Sequence, residues 1–187
     1  MLKLIAGKYT VALSNDPTHL VGSADNVHTY DHEFQLDDAR TDYSVTSRHT
    51  VSVTEDNEPI ATCILLAGGG ASGIHEHSAI IHNNLCIIAV GPFLASLTLP
   101  TLELNWATKT DDATCFGVYE SQNHNCLISH GEMEIARVTL DGTIVWQAGG
   151  ADIFTNDCRL DGHFVRVTDF NDRAYTFDIN TGREVAA

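Results

Sequence analysis

The stretch "TLDGTIVWQAGG", residues 139–150, has two relatives in the same chain. Upstream lies "TLPTLELNWATK" (98–109), and the chain ends on "FDINTGREVAA" (177–187). Each copy places Pro or Gly in a tight turn, where Pro presets one backbone angle and Gly permits a positive φ. An apolar residue precedes each turn, at intervals of about 40 residues: Leu99, Leu140 and Ile179. The chain therefore contains an internal repeat of about 40 residues.

Strand-like segments precede each of these turns: "NLCIIAVG" (84–91), "NCLISHG" (125–131) and "GHFVRVTD" (162–169). Apolar and polar residues alternate along "EIARVTL" (134–140), which is the period of a half-buried strand. Repeats of about 40 residues built from short antiparallel strands are typical of β-propeller blades. The sequence predicts an all-β fold of antiparallel β-propeller-like repeats, either a small four-bladed propeller or an incomplete one.

The last copy of the repeat resembles the blade repeat of PQQ-like propellers, and its length is similar to that of WD40-like blades. The fitting residues in "FNDRAYTFDINTGREV" (170–185) are Ala174, Tyr175, Phe177, Asp178, Thr181 and Gly182. The earlier copies match the blade pattern of that family at Trp106, Gly142 and Trp146. The resemblance implies that each tryptophan docks on the neighbouring blade and is structural. Adjacent cysteines, which the quinone enzymes of the family usually carry, are absent, so the resemblance implies no cofactor here.

The length of the chain suits a single all-β domain, residues 1–187, with a divergent N-terminal part at 1–44. The repeats are then expected at 45–84, 85–122, 123–161 and 162–187. Four blades could close into a ring if the first strands complete the last blade. The other expectation is an open arc, whose unpaired edge strands would favour a homodimer.

Acidic residues dominate the charge: 25 Asp and Glu against 10 Lys and Arg give a net charge of −15. Such a chain repels phosphate backbones, so a basic protein is a better candidate partner than nucleic acid. Apolar runs fall short of the roughly 18 residues that span a bilayer, which predicts no membrane partner. Five cysteines without a CxxC motif indicate reduced thiols and a cytoplasmic location.

Histidines cluster in "GGGASGIHEHSAIIHNN", residues 68–84. His75 and His77 would share one face of a strand, and His82 could return as a third ligand of a divalent transition metal. The spacing resembles the first metal motif of cupins, which implies a metal-dependent enzyme. A Glu is expected where His82 stands, and the second cupin motif has no match.

Links between blades meet at one face of a propeller, which predicts that Cys115 and Glu120 converge there with His75 and His77. Asp111 and Asp112 are expected on a solvated loop. The sequence contains neither a nucleophile elbow nor a phosphate-binding loop. We therefore expect a non-catalytic binding module without a cofactor, with the cupin-like metalloenzyme as the alternative.

Overall fold

A computed structural model describes residues 1–37 and 45–185 of the chain. Within these ranges the backbone forms sixteen β-strands and a single turn of 3-10 helix. The strands build four separate sheets, which confirms the expected all-β class with antiparallel, propeller-like repeats.

The first sheet contains five strands, and one of its two edge strands is parallel to its neighbour. The strand order across this sheet is β1 (Leu2–Ala6), β2 (Tyr9–Asn15), β4 (Ser47–Glu55), β5 (Glu58–Ala67) and β3 (His32–Gln35). The other three sheets are antiparallel meanders. The second comprises β6 (Ala79–His82), β7 (Leu85–Val90), β8 (Phe93–Thr98) and β9 (Leu104–Lys109).

The third sheet begins with β10, which a 3-10 turn links to the next strand. Its elements are β10 (Cys115–Ser121), the turn (Gln122–His124), β11 (Cys126–Gly131), β12 (Glu134–Val138) and β13 (Ile144–Gly149). The fourth sheet has three strands: β14 (Cys158–Asp161), β15 (Phe164–Thr168) and β16 (Ala174–Asp178).

The sheets begin one strand earlier than the repeats expected from the sequence. β6 pairs with β7 across a tight turn in which Asn83 has a positive φ of 52°, so it opens the second sheet. Likewise, β10 and β14 open the third and fourth sheets. The expectation that the first strands complete the last blade is wrong, because β1 pairs with β2 and β2 with β4.

Alternation of side chains along the strands builds three apolar layers between consecutive sheets. Ile88 packs in the layer between the first and second sheets, whereas its neighbour Ile87 packs between the second and third. Residues including Ile128, Val165 and Phe177 fill the layer between the third and fourth. Each central sheet is therefore covered on both faces.

The two ends of the stack are finished differently. On the first sheet, Ile64 and Leu66 form an outer apolar cluster against which Val21 and Tyr30 pack. The outer face of the fourth sheet carries Phe164 and Ala174 among mostly polar side chains: Arg159, Asp161, Arg166, Thr176 and Asp178. Across the described residues, each shared apolar cluster joins consecutive sheets and none joins the fourth sheet to the first, so this part of the chain forms an open arc. Polar outer faces are how stacked arrays end; a homodimer through edge strands stays a prediction.

Candidate functional site

The repeat turns hold neighbouring sheets together through the two tryptophans. Trp106 on β9 covers Gly142 of the third sheet, and its Nε1 donates a 3.1 Å hydrogen bond to the Leu140 carbonyl. Trp146 on β13 makes the same contact with Gly182, donating to the Ile179 carbonyl at 2.8 Å. These contacts join the second sheet to the third and the third sheet to the fourth.

A cleft of about 690 Å³ opens where the loop before β6 meets the third and fourth sheets. We refer to it as the cleft. Its lining residues come from that loop, from β10 and β11, and from the segments flanking β14 and β15: His75, Glu76, His77, Phe116, Tyr119, His130, Thr155, Asn156, Asp157, Cys158, Thr168 and Asp172.

Aromatic rings pack side by side along the cleft. The Tyr119 ring lies 4.6 Å from that of His77, and the Phe116 ring meets that of His130 edge-on at 5.5 Å. His75 continues the row, 6.1 Å from His77. Such centroid separations are those of favourable ring pairs. Planar side chains therefore form part of the lining of the cleft.

Backbone hydrogen bonds fix the histidine loop on β10. His75 Nε2 donates to the Phe116 carbonyl at 2.7 Å, while His75 Nδ1 accepts from the His77 amide at 3.2 Å. The Val118 amide in turn donates to the His77 carbonyl at 2.9 Å. A β-carbon on Gly117 would lie 3.0 Å from His77, so this close approach depends on glycine there. Both ring nitrogens of His75 are occupied.

His130 is the buried titratable group of the cleft, with only 6% of its surface exposed. Burial lowers the pKa of His130 to about 4; an interaction with the Phe154 backbone opposes this, and His75 and His77 add to it. The imidazole is therefore neutral at pH 7. Its Nε2 atom is buried without a hydrogen-bond partner in the described part of the chain.

Acidic side chains rim the cleft. Glu76, Asp157 and Asp172 are exposed there, and no Lys or Arg is among the residues that line it. Burial, together with charged neighbours that include Asp157 and Glu76, raises the pKa of Tyr119, so its hydroxyl stays neutral. The cleft therefore has a negative potential at neutral pH.

Two of the three predicted metal ligands, His75 and His77, share this cleft, and His82 does not. His82 Nδ1 instead hydrogen-bonds Glu120 at 2.7 Å in a neighbouring groove between β6 and β10. Within residues 1–37 and 45–185, no three His, Cys, Asp or Glu side chains are grouped so that they could hold a metal ion. The four separate sheets differ from the double-sheet jelly roll of cupins.

Cys115 does not join His75 and His77 either. It is fully buried between the second and third sheets, with its Sγ 3.0 Å from the Ser129 hydroxyl, and burial raises its pKa to about 11. Glu120 pairs with His82, because residues 119 and 120 point to opposite faces of β10. The predicted convergence therefore holds for the two loop histidines alone.

The prediction that Asp111 lies on a solvated loop is wrong, because its side chain is buried. Its Oδ1 accepts from the amides of Ala113 and Thr114, and its Oδ2 accepts from those of Met133 and Glu134. This carboxylate therefore connects the segment before β10 to the β11–β12 turn through hydrogen bonds. Asp112 is exposed, as expected, and pairs with Lys109.

Tyr119 and His130 were not predicted from the sequence as site residues. A signal for His130 exists, since it is the only titratable side chain besides a cysteine in the strand "CLISHG" (126–131), all six residues of which are buried. Tyr119 carries no comparable signal, because an aromatic residue in a strand is ordinary core or surface composition.

Comparison with known proteins shows the fold alone. No family model and no curated protein matches the chain. Among solved structures, the computationally designed Ika8 protein is similar with a TM-score of 0.56 at 11% identity, covering 98% of this chain and 59% of that one. The AfRom2 CNH domain is similar with a TM-score of 0.50 at 11% identity, covering 75% and 47% respectively.

The WD40 domain of Neurospora crassa Pan2 has a TM-score of 0.49 at 15% identity, covering 59% of this chain and 36% of that one. The match to the AfRom2 CNH domain, reported above, covers about half the length of that chain. In the described part of the chain, no helix has the length and apolar character needed to cross a bilayer.

Proposed function

We propose that the protein is a non-catalytic binding module that receives a basic segment of a partner protein in the cleft. The observation that carries this proposal is the charge of the lining: three exposed carboxylates without a lysine or arginine among them. Propeller-type neighbours support an interaction role at the level of the fold, which many functions share.

Long-range electrostatics favour the same partner. The whole chain carries a net charge of −15, which steers a cationic protein toward it and raises the association rate. A cleft with low-dielectric walls concentrates that field. The expected association is therefore strongest at low salt and weakens as the Debye length shortens.

The protonation states of the lining support binding rather than covalent chemistry. Burial raises the pKa of the Cys158 thiol to about 12, so the cleft offers no thiolate at neutral pH. The pKa of Tyr119 is raised as well, and His75 uses both ring nitrogens in backbone hydrogen bonds.

We further infer that the repeats are of the PQQ-like type. The docking of Trp106 on Gly142 and of Trp146 on Gly182 supports this inference, since it is the contact that the resemblance implies. The five cysteines are buried free thiols, which supports a cytoplasmic location.

Affinity capture from the native cell extract tests the binding proposal. The tagged protein should retain a basic protein at 50 mM salt and release it between about 150 and 500 mM. A matched tagged protein with Glu76→Gln, Asp157→Asn and Asp172→Asn should retain much less of it. Recovery of the same proteins by both baits, or of no basic protein, would contradict the proposal.

A further inference from the structure

We propose that the cleft recognises an arginine side chain of the partner, with the guanidinium lying against the Tyr119 ring and paired with the rim carboxylates. This inference rests on the proposed function and names the group that the site selects. Three features of the cleft carry it: planar rings, carboxylates without a lysine or arginine partner, and a buried nitrogen without a hydrogen-bond partner.

The planar rings favour a guanidinium over an ammonium. Phe116, Tyr119 and His130 lie next to one another with their ring planes inclined at 51° to 66°, and the two loop histidines extend the row. A guanidinium is planar and weakly hydrated, so it stacks on such rings while its edge remains free for hydrogen bonds. A lysine ammonium is a strongly hydrated point charge and gains less from the same surface.

The rim supplies carboxylates that can meet that edge. In the described part of the chain, Glu76, Asp157 and Asp172 form no ion pair with a lysine or an arginine, and Glu76 Oε1 lies 3.6 Å from His77 Nε2. Asp157 and Glu76 both lie close enough to Tyr119 to raise the pKa of its hydroxyl. Glu76 and Asp157 line the same cleft as Tyr119, and one carboxylate can accept two parallel hydrogen bonds from a guanidinium.

His130 adds an acceptor that nothing in the described chain satisfies. A neutral imidazole has one donor and one acceptor nitrogen, and in the proposed complex the unpartnered Nε2 is the acceptor. Leaving such a group unpaired is costly, and an arginine N–H would satisfy it.

Fluorescence anisotropy with labelled peptides tests this assignment. The probes are an Arg-Gly-Ser repeat peptide and the same peptide with lysine at every arginine. The arginine peptide should bind at least roughly fivefold more tightly, as a stacking gain of about 1 kcal/mol implies. Tyr119→Leu should remove that preference while leaving residual binding.

Two triple variants with the same net charge distinguish binding by the cleft carboxylates from attraction by the overall charge of the protein. The triple variant Glu76→Gln, Asp157→Asn and Asp172→Asn should weaken arginine-peptide binding by about tenfold or more. The control triple Asp25→Asn, Asp56→Asn and Glu58→Gln removes the same charge from exposed positions elsewhere, and should change binding by less than about twofold. Circular dichroism and urea midpoints verify that both triples are folded.

Equal affinity for the two peptides, or equal weakening by the two triples, would overturn the arginine assignment. Either result would leave the proposed function standing as binding of basic proteins by overall charge. Absence of peptide binding together with successful salt-sensitive capture would also overturn the arginine site alone. Failure of the capture experiment, in contrast, would contradict the proposed function itself.

Discussion

The indole of Trp146 covers the α-carbon of Gly182, and its Nε1 hydrogen-bonds the Ile179 carbonyl at 2.8 Å. A β-carbon at residue 182 would lie 2.6 Å from the ring, closer than real contacts allow. Trp106 and Gly142 repeat this relationship one sheet earlier. The glycines therefore serve inter-sheet packing as well as the turn.

Substitution of Gly182 tests the packing role. Gly162 is a matched control, since its φ of 60° resembles the 68° of Gly182 and nothing lies within 4 Å of an added β-carbon. G162A should cost about 1 kcal/mol from backbone strain alone. G182A should cost a further 1–3 kcal/mol or so, because the indole has to shift. Urea midpoints measure both, and equal losses would refute the tryptophan contact as the cause.

Asp111 should be among the residues most sensitive to substitution. D111N replaces one of two accepting oxygens by a donor, facing amides of either Ala113 and Thr114 or Met133 and Glu134. The expected loss is about 2–4 kcal/mol of unfolding free energy. Its exposed neighbour is the control: D112N should cost less than about 0.5 kcal/mol. Comparable losses would show that the four amide contacts contribute little.

Acid should weaken the fold through His130. Its pKa is about 4 in the folded chain, against a usual value of 6.5, so the unfolded chain binds the proton more readily in this window. Stability therefore falls as the pH drops from about 6.5 to about 4, by an amount on the order of 1–3 kcal/mol. H130Q should flatten this dependence in part. His49, whose pKa burial also lowers, would account for a share of the remainder.

The ring signals of His130 provide the direct check. Because the folded imidazole resists protonation, its NMR shifts should stay nearly constant between pH 8 and pH 5. Titration of these signals with a midpoint near 6.5 would contradict the burial argument.

Thiol reactivity should be low in the native state. All five cysteines are buried, and burial raises the pKa of Cys63 and Cys158 to about 12 and that of Cys115 to about 11. A thiol reagent at pH 8 should label the native protein about a hundredfold more slowly than the unfolded chain, which should expose five thiols. Rapid labelling of one native cysteine would contradict this, and mass spectrometry would identify it.

Local patterns in the sequence determined much of the architecture. The alternation in "EIARVTL" and the turn residues at Gly142 and Gly182 depend on backbone geometry within a few residues, so they predicted strands and hairpins that the structure contains. The repeat of about 40 residues likewise predicted the propeller-like grouping of those strands.

Tertiary structure alone decided where sheets begin, whether the arc closes and which side chains meet in the cleft. Those outcomes depend on contacts between residues far apart in the chain, such as His77 with Tyr119 and His82 with Glu120. Sequence spacing placed His75, His77 and His82 in one group, yet strand β6 carries His82 to another groove. No local period encodes such a separation, because it is set by how one sheet packs on the next.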